Sequence, residues 1–159
     1  KNSKLILKSS LFVCEEVIKK RFEEEGLINS IQFEKKTKRN DFLSHFNLYD
    51  KVDLCLDTFP FNGVTTTFEA LWKGVPVNVL KGFNFNSRCG YSIIKNSTFE
   101  NLISENIDEY VEKAVTFYDK RKEFLELRKK IFENIISTPL FDTKEFSTAF
   151  GKLLLKVLN

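Results

Sequence analysis

Residues 52–80, VDLCLDTFPFNGVTTTFEALWKGVPVNVL, carry two strand-length apolar runs with a helical segment between them. VDLCLDT (52–58) reads as a buried strand, residues 59–64 as a glycine-containing loop, and residues 65–73 set Phe68, Leu71 and Trp72 on one helical face. Gly74 stops that helix, and VPVNVL (75–80) is the next strand. Strand, helix and strand over short links predict a parallel pairing covered by helices. Working outward, KLILK (4–8) is a further strand, and Val13, Val17, Ile18 and Phe22 follow at helical spacing up to Gly26. Ile31, Gln32 and Phe33 form another strand, and a basic loop over residues 34–39 leads to a helix bearing Phe42, His45 and Phe46. The predicted class is α/β.

Past Gly82 the pattern changes, and from Asn106 onward only helices are expected. Asn106 with Glu109 resembles a capping box, and Tyr110, Ala114, Phe117, Phe124, Leu127 and Ile131 recur at helical spacing. Pro139 interrupts this run, and a last helix from about Lys144 puts Phe146, Phe150, Leu153, Leu154 and Val157 on one stripe, read as packing surface.

Composition narrows the function. The 159 residues are 42% apolar and 30% charged, enough for one compact domain. No run approaches the roughly 18 apolar residues of a membrane span, and no signal-peptide pattern opens the chain. Lys and Arg number 25 against 22 Asp and Glu, with the signs intermixed, so charge gives no support for nucleic-acid or lipid binding; the basic run reads as solvated surface. Cys14, Cys55 and Cys89 are odd in number and widely spaced, and His45 is the only histidine. Neither a disulfide scaffold nor a Cys/His metal site is expected, and a reducing compartment fits. The chain lacks methionine and opens at Lys1, as expected of a piece of something longer.

The chemistry concentrates where residues 57–72 join a strand to a helix through Gly63, Thr65, Thr66 and Thr67. The first N–H groups of a helix have no partner within it and lie at the positive end of its dipole, so such a junction suits a phosphate, and threonine hydroxyls add donors. Gly63 lets the backbone pass close to that phosphate. Glu69, four residues after Thr65, projects on the same side, where a carboxylate can accept hydrogen bonds from a ribose diol. Plain helix capping by Thr and Gly is the alternative on the same residues. Neither a Walker loop nor a GxGxxG fingerprint is present. Asp57 is expected to orient the loop, Arg88 to serve a second phosphate or a structural salt bridge, and Cys55 and Cys89 to be inert core.

NSKLILKSS (2–10), VDLCLDTFPFNGVTTTFEALWKGVPV (52–77), the pair Ser87 and Arg88, and STPLFDTKEF (137–146) resemble the C-terminal catalytic lobe of the O-linked N-acetylglucosamine transferase and SPINDLY family in its bacterial form, over nearly the whole chain. The resemblance implies a Rossmann-like parallel sheet flanked by helices, the C-terminal lobe of a GT-B glycosyltransferase, incomplete at its N-terminus and ending in helices. It implies one lobe over residues 1–159, α/β to about 95 and helical from about 96, with the N-terminal lobe and any tetratricopeptide repeats outside the chain. The family's lysine-bearing first strand would precede Asn2, leaving a gap between the strands near Lys4 and Val52.

By the same resemblance, Thr65 and Thr66, with Thr67 alongside, bind the nucleotide diphosphate, Glu69 holds the ribose, and His45 packs near the base. With Asn62, Gly63 and Arg88 these make the expected donor-binding set, and no catalytic residue is assigned, because the acid/base groups proposed for the family lie outside the chain. Animal enzymes carry His at the place of Val64, Lys and Arg at those of Phe42 and Leu48, and Asp at that of Glu69, so donor contacts differ in detail. The implied activity is inverting, metal-independent transfer of N-acetylglucosamine from UDP-N-acetylglucosamine to protein Ser/Thr, without a further cofactor. Alternatives are GDP-fucose as donor, a non-catalytic nucleotide-sugar-binding scaffold, or a phosphosugar epimerase. Expected partners are the nucleotide sugar and a protein acceptor engaged through the repeats, in the cytoplasm, and the chain alone is expected to be inactive.

Overall fold

The computed structural model of the chain describes residues 3–9, 15–35 and 41–158. Its contacts form two compact units, Lys1–Leu48 and Tyr49–Asn159.

The first unit holds β1 (Leu5–Ser9), α1 (Glu15–Glu24), β2 (Ile31–Lys35) and α2 (Phe42–Leu48). β1 and β2 pair in parallel, Leu5 opposite Ile31 through Ser9 opposite Lys35, as strand–helix–strand alternation requires. α1 opens on Glu15 and Glu16 and carries Arg21 in its last turn, matching its dipole, and Gly26 at φ +68° ends it. Ile18 and Phe22 are half-buried while Val17 is exposed; Val13, Cys14 and residues 36–39 of the basic run lie outside the described residues. α2 begins where the carboxylate of Asp41 accepts from Ser44 N at 3.1 Å; the Ser44 side chain first, and this backbone bond second, hold the Asp41 pKa below its ordinary value.

The second unit holds β3 (Cys55–Leu56), α3 (Thr65–Trp72), β4 (Val77–Leu80), α4 (Cys89–Asn96), β5 (Ile103–Ser104), α5 (Ile107–Asp119), α6 (Arg121–Asn134) and α7 (Thr143–Leu158). Its parallel sheet runs β3-β4-β5, with Cys55 opposite Val77 and Val79 opposite Ile103. β3 is shorter than the run VDLCLDT predicts because the Val52 carbonyl turns to accept from Arg128 Nη1 at 2.8 Å, although Asp57 N still reaches Asn78 O at 3.0 Å. β5, two residues long, is too short to announce itself by period.

Leu71, Val75, Val79, Ile94, Leu102, Ile131 and Ile135 make the core, and α3, α4 and α5 all pack on β4. Asn78 interrupts the apolar run of that strand and is fully buried; its side chain donates to Tyr110 O at 2.8 Å and accepts from Ser104 Oγ at 3.2 Å. Gly74, at φ +71°, closes α3, with Val75 N reaching Ala70 O at 2.8 Å, and a Cβ there would stand 2.9 Å from Phe132 Cβ. Asn106 caps α5 by accepting from Glu109 N at 2.9 Å, whereas the Glu109 carboxylate reaches back to Glu105 N at 2.8 Å, one residue short of a reciprocal box. α7 forms as the periodicity predicts, but Phe146, Phe150, Leu153, Leu154 and Val157 remain 48% to 78% exposed in this chain.

Candidate functional site

In the second unit the loops leaving the C-terminal ends of β3 and β4 are stitched together, and α3 starts from the first of them. Asn62 makes the stitch. Its backbone N–H donates to Asn86 O at 2.9 Å, its Nδ2 to Thr58 O at 2.8 Å, and its Oδ1 accepts from Gly90 N at 3.2 Å. Asn62 is 2% exposed, so its side chain braces the loop rather than facing solvent.

Asp57, also buried, holds the far side of the turn. Its Oδ1 accepts from Gly63 N at 2.7 Å, and Tyr110 donates its hydroxyl to the Asp57 carbonyl at 2.9 Å. Asp57 Oδ2 has no hydrogen-bond partner among the described residues. Burial lifts the carboxyl pKa to about 6, opposed by the N–H groups of Gly63 and Thr58, and burial together with the Asp57 charge lifts the Tyr110 hydroxyl to about 12. Gly63 is required by space: a Cβ there would lie 2.6 Å from Thr66 Oγ1 and 2.9 Å from Thr67 Oγ1.

α3 begins without a side-chain cap. Val64 occupies the N-cap position and its carbonyl accepts from both Thr67 N and Phe68 N at 3.1 Å. The threonines fill the first helical turn instead of the cap. Among the described residues no acceptor meets the N–H groups of Thr65 and Thr66, and both residues are exposed, while Thr67 is buried. An uncapped helix start whose first two amides meet no acceptor among the described residues has the geometry that suits an anion. Glu69, half-buried on the same helix, receives the Tyr49 hydroxyl at Oε2, 3.1 Å away.

Arg88 precedes α4. It donates from Nη1 to Gly82 O at 3.2 Å and lies 4.8 Å from the Tyr91 ring centroid; among the described residues no carboxylate pairs with it. Cys55 is held inert by burial, which pushes its thiol to about 12. His45 belongs to the first unit, where Lys8 Nζ approaches its Nδ1 at 2.6 Å. The structure thus gathers Asn62, Gly63, Thr65, Thr66, Thr67, Glu69 and Arg88 on one unit, and His45 stands with β1 and α2 on the other. Tyr49 is the site residue that sequence reasoning missed. No period marks it, and the available signal was that a Tyr ahead of a buried strand needs a polar partner for its hydroxyl.

Among the described residues no cluster of three His, Cys, Asp or Glu side chains is placed to hold a metal, and no helix is long and apolar enough to cross a membrane.

A helix start presenting its amides beyond a parallel strand is the arrangement of nucleotide-binding α/β lobes. The model of glycosyl transferase family 41 matches residues 2–150, and the chain belongs to that family. It is 34% identical over 157 residues to a Solanum lycopersicum protein named "Probable UDP-N-acetylglucosamine–peptide N-acetylglucosaminyltransferase SPINDLY", covering 92% of this chain and 16% of the relative. It is 30% identical over 141 residues to a Caenorhabditis elegans UDP-N-acetylglucosamine–peptide N-acetylglucosaminyltransferase, covering 88% of this chain and 12% of that protein. A solved Thermobaculum terrenum O-GlcNAc transferase mutant matches at a TM-score of 0.77 and 24% identity, over 92% of this chain and 29% of that one. The fold is therefore the Rossmann-like α/β fold of a GT-B glycosyltransferase lobe. The chain spans about one sixth of the length of the SPINDLY relatives it matches, 16% in each.

Proposed function

We propose that this chain is the donor-binding part of a protein O-glycosyltransferase, and that the pyrophosphate of a nucleotide sugar seats on the amides of Thr65 and Thr66. The observation that carries this reading is that pair of N–H groups, on exposed residues and without an acceptor among the described residues, at the positive end of α3. As the bond from sugar to diphosphate breaks, negative charge grows on the departing oxygen. Donors already fixed in place stabilise that charge without reorganising. The hydroxyls of Thr65 and Thr66 add to them, Glu69 takes the ribose, and His45 is assigned to the base by family resemblance. In this scheme amides and hydroxyls rather than a cation meet the diphosphate, no further cofactor enters, and the sugar inverts in one displacement onto a protein Ser or Thr.

UDP-N-acetylglucosamine is the first donor, in keeping with the names of the relatives, and GDP-fucose the second. Calorimetry of UDP, UDP-N-acetylglucosamine, GDP and GDP-fucose against the chain tests the reading. Tighter binding of the uridine pair supports the first donor, and tighter binding of the guanosine pair the second. Replacing Thr65 and Thr66 by Val removes two hydroxyls that donate to a charged group and is expected to weaken binding roughly 10- to 100-fold with the fold intact. Silence toward all four ligands favours a scaffold instead.

A further inference from the structure

Tyr49 stands in the short turn between α2 and β3, is 8% exposed, and packs with the core of the second unit. Its hydroxyl faces two acceptors at once, the Thr66 carbonyl at 3.2 Å and Glu69 Oε2 at 3.1 Å. Those acceptors belong to the two ends of the candidate site: Thr66 to the diphosphate seat, Glu69 to the place of the ribose. One buried phenol therefore registers both ends against each other. The turn carrying it is fastened to the far end of α3 by Asp50, 2.6 Å from Lys73 Nζ, so Tyr49 cannot drift along the helix without breaking that pair. Burial and the nearby Glu69 raise the hydroxyl pKa, which keeps it a donor throughout the physiological range.

We infer that Tyr49 is a positioning residue for donor recognition: by holding Glu69 against the start of α3, it makes the site select a ribonucleotide over a nucleotide that lacks a ribose hydroxyl. The inference rests on the donor reading above. A carboxylate that must be ordered upon binding loses part of what its hydrogen bonds to a diol contribute, whereas one already held does not. Hydrogen bonds to a charged acceptor are strong enough for this to be read as about a tenfold effect.

The test measures Kd for UDP, 2′-deoxy-UDP and inorganic pyrophosphate with the wild-type chain, Tyr49→Phe, Glu69→Gln and the double variant. Wild type is expected to prefer UDP over 2′-deoxy-UDP by about tenfold. Tyr49→Phe, which keeps the ring, is expected to bring that preference within about threefold; the preference is a ratio of two affinities, so any change at the diphosphate seat from the lost bond to the Thr66 carbonyl, read with pyrophosphate, cancels from it. The double variant should lose no more than Glu69→Gln alone, because the phenol acts through the carboxylate. A Tyr49→Phe chain that keeps the wild-type preference overturns the inference and leaves the diphosphate seat standing. A wild-type chain that binds pyrophosphate but ignores the ribose hydroxyl does the same. A wild-type chain that binds none of the three overturns both readings together.

Discussion

Asp57 and Gly63 are locked together by a 2.7 Å hydrogen bond from the glycine N–H to the buried carboxylate, while the other carboxylate oxygen faces Gly90 with no hydrogen-bond partner among the described residues. One acidic group thus sets the turn that launches α3 and does so at a cost in desolvation. Trp72, the only tryptophan, lies at the end of the same helix and reports on the second unit by fluorescence.

That cost gives a pH dependence of definite sign. Asp57 has an ordinary value of 3.8 and reaches about 6 in the fold, so between these values the native state binds more protons than the unfolded chain. Stability therefore falls as pH rises from about 4 to about 6 and stays lowered above that, by up to ~3 kcal/mol for a shift of this size. Asp57→Asn keeps an acceptor for Gly63 and removes the titration. Urea midpoints followed by Trp72 should decline from pH 4.5 to pH 7 in the wild type more steeply than in Asp57→Asn, and parallel profiles would refute the assignment.

Gly90 is a steric requirement. A Cβ at that position falls far inside contact with Asp57 Oδ2 and 3.1 Å from Val79 Cγ1. Gly90→Ala should cost ~1–3 kcal/mol through forced displacement of the carboxylate. Gly151→Ala serves as control: within α7 nothing lies within 4 Å of the added methyl, and the substitution should gain ~0.5–1 kcal/mol. Equal midpoints for the two variants would mean that Gly90 is not wedged.

Asn78 ties the central strand to α5 and β5 through Tyr110 O and Ser104 Oγ. Asn78→Leu removes an acceptor from the buried Ser104 hydroxyl and should destabilise by ~1–3 kcal/mol. Adding Ser104→Ala removes the stranded partner and should recover part of the loss, a non-additivity read from a double-mutant cycle of unfolding free energies. Purely additive losses would show that the two side chains do not interact.

Legibility in the sequence followed period and chain chemistry. β1, β2 and β4 are four or five residues long and carry Leu, Ile, Val or Phe at strand spacing, and α5, α6 and α7 carry long 3.6-residue patterns, so these could be read directly. β5 could not, because two residues hold no period, and the shortening of β3 depends on Arg128, which is 76 positions from Val52. At the site, the glycine and the threonines mark a helix start, but their spacing leaves capping and ligand binding equivalent. Val64 in the cap position removes the first reading in its simple form, since no threonine hydroxyl is spent on the cap. Asn62 and Tyr49 act through bonds to residues 28 and 20 positions away, and that kind of pairing leaves no local trace. The exposure of the α7 stripe was equally invisible, because periodicity shows which side of a helix is apolar and not what covers it.

The most direct measurement is an amide proton–nitrogen spectrum of the chain titrated with UDP and with GDP. A diphosphate seated at the start of α3 predicts that the Thr65 and Thr66 resonances move most, saturating together, with Gly63 following through its bond to Asp57 and the α7 amides unmoved. Nucleotide binding that shifts other amides and leaves Thr65 and Thr66 in place would contradict the account.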